Sequence, residues 1–138
     1  MAIVRSKIGN VFPFEHDEQV ALMEWWRLNC RHYGVDEKLL FAIPNGGRRN
    51  AVTGARLKAE GVQRGVPDLL LAVARLNCHG LFIEMKTVKG KVSKYQAEMI
   101  DTLKSNGYAV YVGRSWKSVC NVIDNYLRGV FLYPEAGY

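Results

Sequence analysis

Two short stretches decide the fold of this chain: GVPDLLL at residues 65–71 and FIEMK at residues 82–86. Each is an apolar run that contains an acidic residue, and each predicts a β-strand. Because side chains alternate along a strand, Glu84 and Lys86 point to one face and Met85 points to the other. The second stretch therefore presents a carboxylate and an ammonium group on the same side of a sheet.

The two stretches are predicted to pair as a hairpin, with Asn77-Cys78-His79-Gly80 as the turn between them. Such a hairpin brings Asp68, at the start of the first strand, close to Glu84. Two carboxylates beside an ammonium group suit a divalent cation and a reacting water. The simpler alternative is an ion pair between Glu84 and Lys86 that only compensates a buried charge.

Length and composition indicate one folded domain. The chain has 138 residues, of which 49% are hydrophobic, which is enough for a core of its own. We expect a single domain over residues 1–138, with an N-terminal arm at 1–13 and a C-terminal tail at 129–138. There is no apolar run of membrane-spanning length and no signal-peptide hydrophobic stretch, so we expect a cytoplasmic protein without a membrane partner.

The positive charge is concentrated in one third of the chain. Residues 48–94 contain ten Lys or Arg and three acids, whereas the rest contains nine Lys or Arg and ten acids. Two of the three acids in the basic third are Asp68 and Glu84. A basic field around a carboxylate pair is typical of a site for a polyanion that meets a metal, and the alternative is a basic surface without a partner.

The remaining pattern predicts an α/β fold, with a small mixed sheet flanked by helices. We expect helices at about 16–33, 51–60, 93–106 and 115–127, and strands at about 39–43, 69–74, 81–88 and 108–112. The helix that follows the Glu84 strand leads to the strand at 108–112. This crossover makes those two strands parallel.

Both helices next to the strands offer a polar side chain to the same region. In the first helix the predicted apolar stripe is Val20, Met23, Trp26 and Cys30, widened by Leu22 and Trp25. Glu18 shares its inward side, and Glu15 nearly so. Either acid is also explained by the preference of carboxylates for a helix N-terminus. In the third helix, Ser93 and Gln96 form a capping-box pattern, yet Gln96 also begins the buried face.

These motifs together resemble the VRR-NUC branch of the PD-(D/E)xK nucleases, and above all its stand-alone phage and prophage members. The resemblance covers roughly residues 14 to 128 and rests on motifs that follow in order. They are Glu18-Gln19, Pro44-Asn45-Gly46-Gly47-Arg48, Leu57-Lys58-x-x-Gly61, Gly65-Val66-Pro67-Asp68, Phe82-Ile83-Glu84-x-Lys86 and Gly90-Lys91-x-Ser93-x-x-Gln96.

The resemblance implies a restriction-endonuclease-like core and a DNA endonuclease that depends on Mg²⁺ or Mn²⁺. Its implied catalytic residues are Glu18, Asp68, Glu84, Lys86 and Gln96. The metal would be held by Asp68, Glu84 and the main-chain carbonyl of Met85, with Glu18 as a further ligand. The additional acid at Glu15 leaves two candidates for the helix-borne position.

The resemblance also implies a homodimer that cuts branched DNA, such as four-way junctions or flaps, in the cytoplasm of a bacterial host if a phage encodes it. The predicted DNA-backbone contacts combine a glycine turn with basic residues. They are Asn45, Gly46, Arg48, Arg49, Arg64, Lys89, Lys91 and Lys94. A second hypothesis is a module that binds or recruits structured DNA without cutting it.

Overall fold

A computed structural model describes residues 15–44 and 51–130 of the chain. The α-helices in these ranges are α1 (Glu15–Asn29), α2 (Ala51–Ala59), α3 (Lys94–Ser105) and α4 (Trp116–Leu127). The strands are β1 (Leu40–Ala42), β2 (Leu69–Leu71), β3 (Leu81–Met85) and β4 (Ala109–Gly113). Short 3₁₀ turns at Cys30–Tyr33 and Glu37–Leu39 connect α1 to β1. No helix in these ranges is both long and apolar enough to cross a membrane.

The strands form one mixed sheet in the order β1-β2-β3-β4. β2 is antiparallel to both β1 and β3, and β4 is parallel to β3. The structure thereby confirms the predicted α/β class, the hairpin of the two acidic strands and the parallel pair joined through α3. It also makes β3, which carries Glu84, a central strand with a neighbour on each side.

The sheet has a core on each face. Leu81, Ile83 and Met85 of β3 pack with α1 and α4, whereas Phe82 packs with Ile100 of α3. All five residues of β3 are buried, as expected for a strand covered on both sides. Because side chains alternate, the positions that follow Phe82 on the α3 face are 84 and 86. The predicted site therefore lies where the sheet meets the start of α3.

The hairpin turn lies earlier than the sequence predicted. The tight turn is formed by Leu76 and Asn77, which both have positive φ values of 52° and 60°, rather than by residues 77–80. Arg75 and Cys78 exchange two main-chain hydrogen bonds across it. Left-handed backbone at both central positions matches the twist of paired strands. The Arg75 N–H also donates to the Tyr126 hydroxyl at 3.1 Å, which ties the turn to α4.

The buried stripe of α1 differs from the prediction at one position. Val20 is 44% exposed, whereas Glu18, Leu22 and Trp26 are the buried residues of this helix. These three recur every four residues, and Val20 lies roughly 200° around the helix from Glu18. The prediction was wrong for Val20, whereas Leu22 and Trp26 are buried and Glu18 lies on the inward side as expected.

Candidate active site

Asp68 and Glu84 lie opposite each other on neighbouring strands. The hairpin register pairs Leu69 with Ile83, so the next step along the two chains places Asp68 across from Glu84. The Asp68 carboxylate is fixed by the main chain of β3, because its Oδ2 accepts a hydrogen bond from the Met85 N–H at 2.8 Å. The hairpin thus brings together the two carboxylates that the sequence singled out.

Glu84 is a buried carboxyl with an unusual affinity for protons. Only 4% of the residue is exposed. Burial and the nearby charge of Asp68 raise the pKa of Glu84 from its ordinary 4.5 to about 8, against the opposing effect of Lys86. The Asp68 carboxyl is also within hydrogen-bonding reach of it. Near neutral pH and without a cation, Glu84 therefore tends to keep its proton.

Lys86 lies beside this pair but does not compensate both charges. Its Nζ is 3.7 Å from Glu84 Oε1, and its side chain is only 12% exposed. The ion pair proposed as the simpler alternative is therefore present. The effect of Lys86 is nevertheless smaller than those of burial and Asp68, so the pKa of Glu84 stays raised. A cation that takes the place of the Glu84 proton would compensate the charge of the ionised carboxylate.

The donor set suits a hard divalent cation. Within residues 15–44 and 51–130, no group of three or more His, Cys, Asp or Glu side chains is arranged to bind a metal. A cation here would therefore rest on Asp68 and Glu84, completed by main-chain oxygen or water, as Mg²⁺ and Mn²⁺ sites usually are. The main chain of Met85 contributes its N–H to Asp68, and its carbonyl as a metal ligand stays a prediction.

Gln96 forms the predicted capping box and also contacts Glu84. Its Oε1 accepts from the Ser93 N–H at 2.9 Å, which completes a capping box with the Ser93 hydroxyl. Its Nε2 donates to Glu84 Oε1 at 3.0 Å. The first turn of α3 and the buried carboxylate are thus joined by one amide group.

A glycine holds the loop before Asp68 against α3. Gly65 has a left-handed φ of +80°, and a Cβ placed there would lie 2.4 Å from the Tyr95 carbonyl oxygen. A side chain larger than hydrogen would therefore push the loop off the helix. This close approach fixes the distance between Asp68, three residues later, and Gln96, the residue after Tyr95.

Glu18 and Glu15 of α1 have different surroundings. Glu18 is buried, and its Oε2 accepts a hydrogen bond from the Trp116 N–H at 2.5 Å, at the beginning of α4. Glu15 is exposed, yet its negative charge contributes to the raised pKa of Glu84. The observed contact of Glu18 is therefore with a helix N-terminus, while the charge of Glu15 acts on the carboxylate pair.

The predicted DNA contacts divide into two groups. Asn45, Gly46, Arg48 and Arg49 lie outside the described residues. The others are all exposed and lie in the loop before β2, the turn after β3 or the start of α3. They are Arg64, Lys89, Lys91 and Lys94. The described basic residues thus surround the end of β3 that carries Glu84.

Sequence reasoning missed the contribution of Arg114. This residue directly follows β4, and its Nη1 donates to the carbonyl oxygens of Thr87, at 2.8 Å, and of Gly90. It thereby holds the basic turn that follows β3. A signal was present, since the parallel pairing of β3 and β4 places their carboxyl ends side by side.

The mixed sheet presents two carboxylates and a lysine at the end of its central strands, beside a helix-borne glutamine. This is an α/β domain with a candidate metal site at the edge of its sheet. The model of the VRR-NUC domain matches residues 14–116. The chain belongs to this family.

A solved structure gives the same result. A protein described as a VRR_NUC domain protein is 27% identical to this chain, with a TM-score of 0.72. The likeness covers 84% of this chain and 89% of the other. No curated protein matches the sequence. The predicted family and the predicted restriction-endonuclease-like α/β architecture are thus confirmed.

Proposed function

We propose that this VRR-NUC domain is a DNA endonuclease that depends on Mg²⁺ or Mn²⁺ and hydrolyses phosphodiester bonds. The observation that carries the proposal is the position of Asp68 opposite Glu84, with the Lys86 ammonium beside the Glu84 carboxylate. A buried carboxyl group next to a second carboxylate destabilises a fold when it ionises without a cation. Such a pair is a good binding site for a divalent cation.

The metal would be held by Asp68, Glu84 and the Met85 carbonyl, and when bound it would supply a Lewis acid and a water of lowered pKa. The Asp68 carboxylate is already oriented for metal binding, since the Met85 N–H donates a hydrogen bond to its Oδ2. Gln96 sets the orientation of Glu84 through Oε1. These contacts reduce the rearrangement that the site needs before reaction.

Lys86 would act on the reacting groups. Its ammonium lies at the Glu84 carboxylate, on the face of the sheet that the site occupies. From there it would orient the attacking water or stabilise the negative charge that develops on the phosphate. The attack would be in line with the leaving oxygen.

Glu15 stays a candidate for the helix-borne acid, since its charge adds to the raised pKa of Glu84, although less than burial and Asp68 do. Glu18 as a ligand of a second cation stays a prediction. Its observed partner is the Trp116 N–H. In this account Glu15 would bind the water shell of the cation, and Glu18 would hold α1 against α4.

The exposed residues Arg64, Lys89, Lys91 and Lys94 would hold the DNA backbone. Contacts to phosphate position DNA without reading its bases. We therefore propose selectivity for DNA structure, with four-way junctions or flaps as substrates. A homodimer would present two active sites to such a junction.

The test offers nicked, flapped, four-way and linear DNA with Mg²⁺, Mn²⁺ or EDTA. We expect cleavage of a branched substrate with either metal and none with EDTA. Asp68→Asn should abolish cleavage while binding persists, and Glu24→Gln, on the exposed side of α1, should cut normally. Binding without cleavage in Mn²⁺ on every substrate would favour the non-catalytic recruitment module instead.

A further inference from the structure

An exposed aromatic residue stands at the edge of the candidate site. Tyr95 is 51% exposed, and it directly precedes Gln96, whose amide contacts Glu84. The Arg64 guanidinium lies over the Tyr95 ring, 5.1 Å from its centre. Arg64 itself is exposed. The pair therefore lies on the surface, where packing of the core does not account for a large aromatic ring.

Both members of this pair are held in fixed positions relative to the site. Tyr95 lies in the first turn of α3, which the Ser93–Gln96 capping box closes. Arg64 immediately precedes Gly65, whose backbone touches the Tyr95 carbonyl so closely that only glycine is accommodated. The stacked pair is thus attached to the same two segments that carry Asp68 and Gln96.

We propose that Arg64 and Tyr95 form a stacking platform for an unpaired nucleobase next to the phosphate that is cut. The proposal rests on the proposed nuclease function and names the feature of DNA that the site selects. Aromatic rings and guanidinium planes stack on single-stranded bases with little regard to sequence. A base inside a continuous duplex offers no free face, because its neighbours cover it.

The platform supplies a physical reason for selecting branched DNA. Nucleotides at a flap or a junction leave the stack at little cost, whereas those of a linear duplex do not. Lys94, exposed and next to Tyr95 in sequence, is placed to hold the phosphate of the displaced nucleotide. DNA with an unpaired base near the cut should therefore bind more tightly than a duplex of equal length and charge.

The competing account is that Arg64 only binds a phosphate and that Tyr95 merely orients it. In that account the pair increases the affinity for DNA only through its positive charge, and by the same factor for duplex and unpaired DNA. Variants that remove the aromatic ring or the guanidinium plane but keep the positive charge distinguish the stacking account from the electrostatic one. Tyr95→Leu removes the stacking face, Tyr95→Phe keeps it, and Arg64→Lys keeps the charge but loses the guanidinium plane.

The experiment measures binding in EDTA, so that it does not depend on cleavage. The probes are a duplex and the same duplex with one unpaired 2-aminopurine, whose fluorescence falls when it stacks. For the wild type and Tyr95→Phe we expect quenching and preference for the unpaired probe. Tyr95→Leu should show no quenching and should bind the unpaired probe about tenfold more weakly. Its affinity for the duplex should be unchanged. Arg64→Lys should weaken the quenching and retain duplex binding.

Two results would overturn the platform: no quenching by the wild-type protein, or an equal loss of duplex and unpaired binding in Tyr95→Leu. Failure of the nuclease proposal looks different. It would appear as quenching and preference for unpaired DNA without any cleavage in Mn²⁺.

Discussion

The side-chain amide of Gln96 donates to Glu84 Oε1 at 3.0 Å while its oxygen accepts from the Ser93 N–H. One residue therefore serves the stability of a helix and the orientation of a buried carboxylate. The two roles use different atoms of the amide. Substitutions that keep one atom and change the other should consequently separate stability from activity.

Gln96→Glu should reduce activity far more than stability. A glutamate at this position retains the oxygen that accepts from the Ser93 N–H, because Glu and Gln both complete a capping box. It also places a third carboxyl group against Glu84 and removes the Nε2 donor. We expect unfolding in urea to change by less than about 1 kcal/mol and cleavage in Mn²⁺ to fall by about tenfold or more.

Ser93→Ala is the matched control for that change. It removes the hydroxyl that accepts from the Gln96 N–H and leaves the contact between Gln96 and Glu84 in place. The free energy of unfolding should fall by about 1 kcal/mol, with cleavage within about twofold of wild type. Equal activity losses in the two variants would show that the amide contact to Glu84 has no special role.

The proximity of Asp68, Glu84, Lys86 and Gln96 was predictable because each of these positions is encoded locally. The alternation of strand residues places Glu84 and Lys86 on one face, and the capping-box spacing identifies Gln96. The two acidic stretches are separated by few enough residues that a hairpin is the natural connection. Only the position of the turn differed from the prediction. Leu76 and Asn77 take the left-handed conformation, and the Tyr126 hydroxyl accepts a hydrogen bond from the N–H of Arg75, the residue before them.

Contacts between distant segments were not predictable in the same way. Glu18 meets the Trp116 N–H across 98 residues of sequence, and Arg114 reaches back to the carbonyl of Thr87. No local periodicity encodes such pairings, because they depend on how helices are placed on the finished sheet. The placement of Val20 in α1 was wrong for the same reason: its side chain is as apolar as a core residue but faces outward.

The stability of the metal-free protein should fall as the pH rises between about 4.5 and about 8. The folded pKa of Glu84 lies above its ordinary value, so the folded state binds a proton more tightly than the unfolded state does in this window. Below about pH 4.5 Glu84 is protonated in both the folded and the unfolded state, so stability does not depend on pH through this group. Above about pH 8 Glu84 is ionised in both states, and the folded state is destabilised by the buried charge, on the order of a few kcal/mol.

Urea unfolding in EDTA at a series of pH values measures this effect. Glu84→Gln is the reference, because a neutral amide has no proton to lose, and the difference between the two curves isolates Glu84. Added Mn²⁺ should restore the stability of the wild type at higher pH but not that of the variant. A wild-type curve parallel to that of Glu84→Gln would contradict the raised pKa.

Lys86→Met should abolish most cleavage while DNA binding persists. The variant keeps the length of the side chain but removes the ammonium 3.7 Å from Glu84 Oε1. We expect a loss in the cleavage rate of at least about a hundredfold. Affinity for branched DNA in EDTA should change by less than about threefold. The reason is that Lys86 is not among the residues proposed to hold the DNA backbone.

Lys38→Met, at an exposed position next to β1, is the control for the loss of one positive charge. It should leave cleavage and binding unchanged. Wild-type cleavage by Lys86→Met would remove this lysine from the chemistry and return it to the role of a simple ion-pair partner.

Glu15 and Glu18 should respond oppositely to the loss of their charges. Glu18→Gln replaces a buried carboxylate that accepts from the Trp116 N–H at the start of α4. An anion at a helix N-terminus is stabilising, so the free energy of unfolding should fall by about 1 kcal/mol. Glu15→Gln changes an exposed side chain, so stability should hardly change, but Mn²⁺ should bind more weakly and cleavage should decline.

Calorimetric titration with Mn²⁺, urea unfolding and cleavage rates for both variants complete the comparison. If Glu18→Gln keeps full stability and loses cleavage, then Glu18 is the helix-borne acid of the active site and its contact with α4 is secondary. If only Glu15→Gln loses metal affinity, the acid at the beginning of α1 belongs to the site. In that case the contact between Glu18 and Trp116 sets its position, because it fixes how α1 lies against α4.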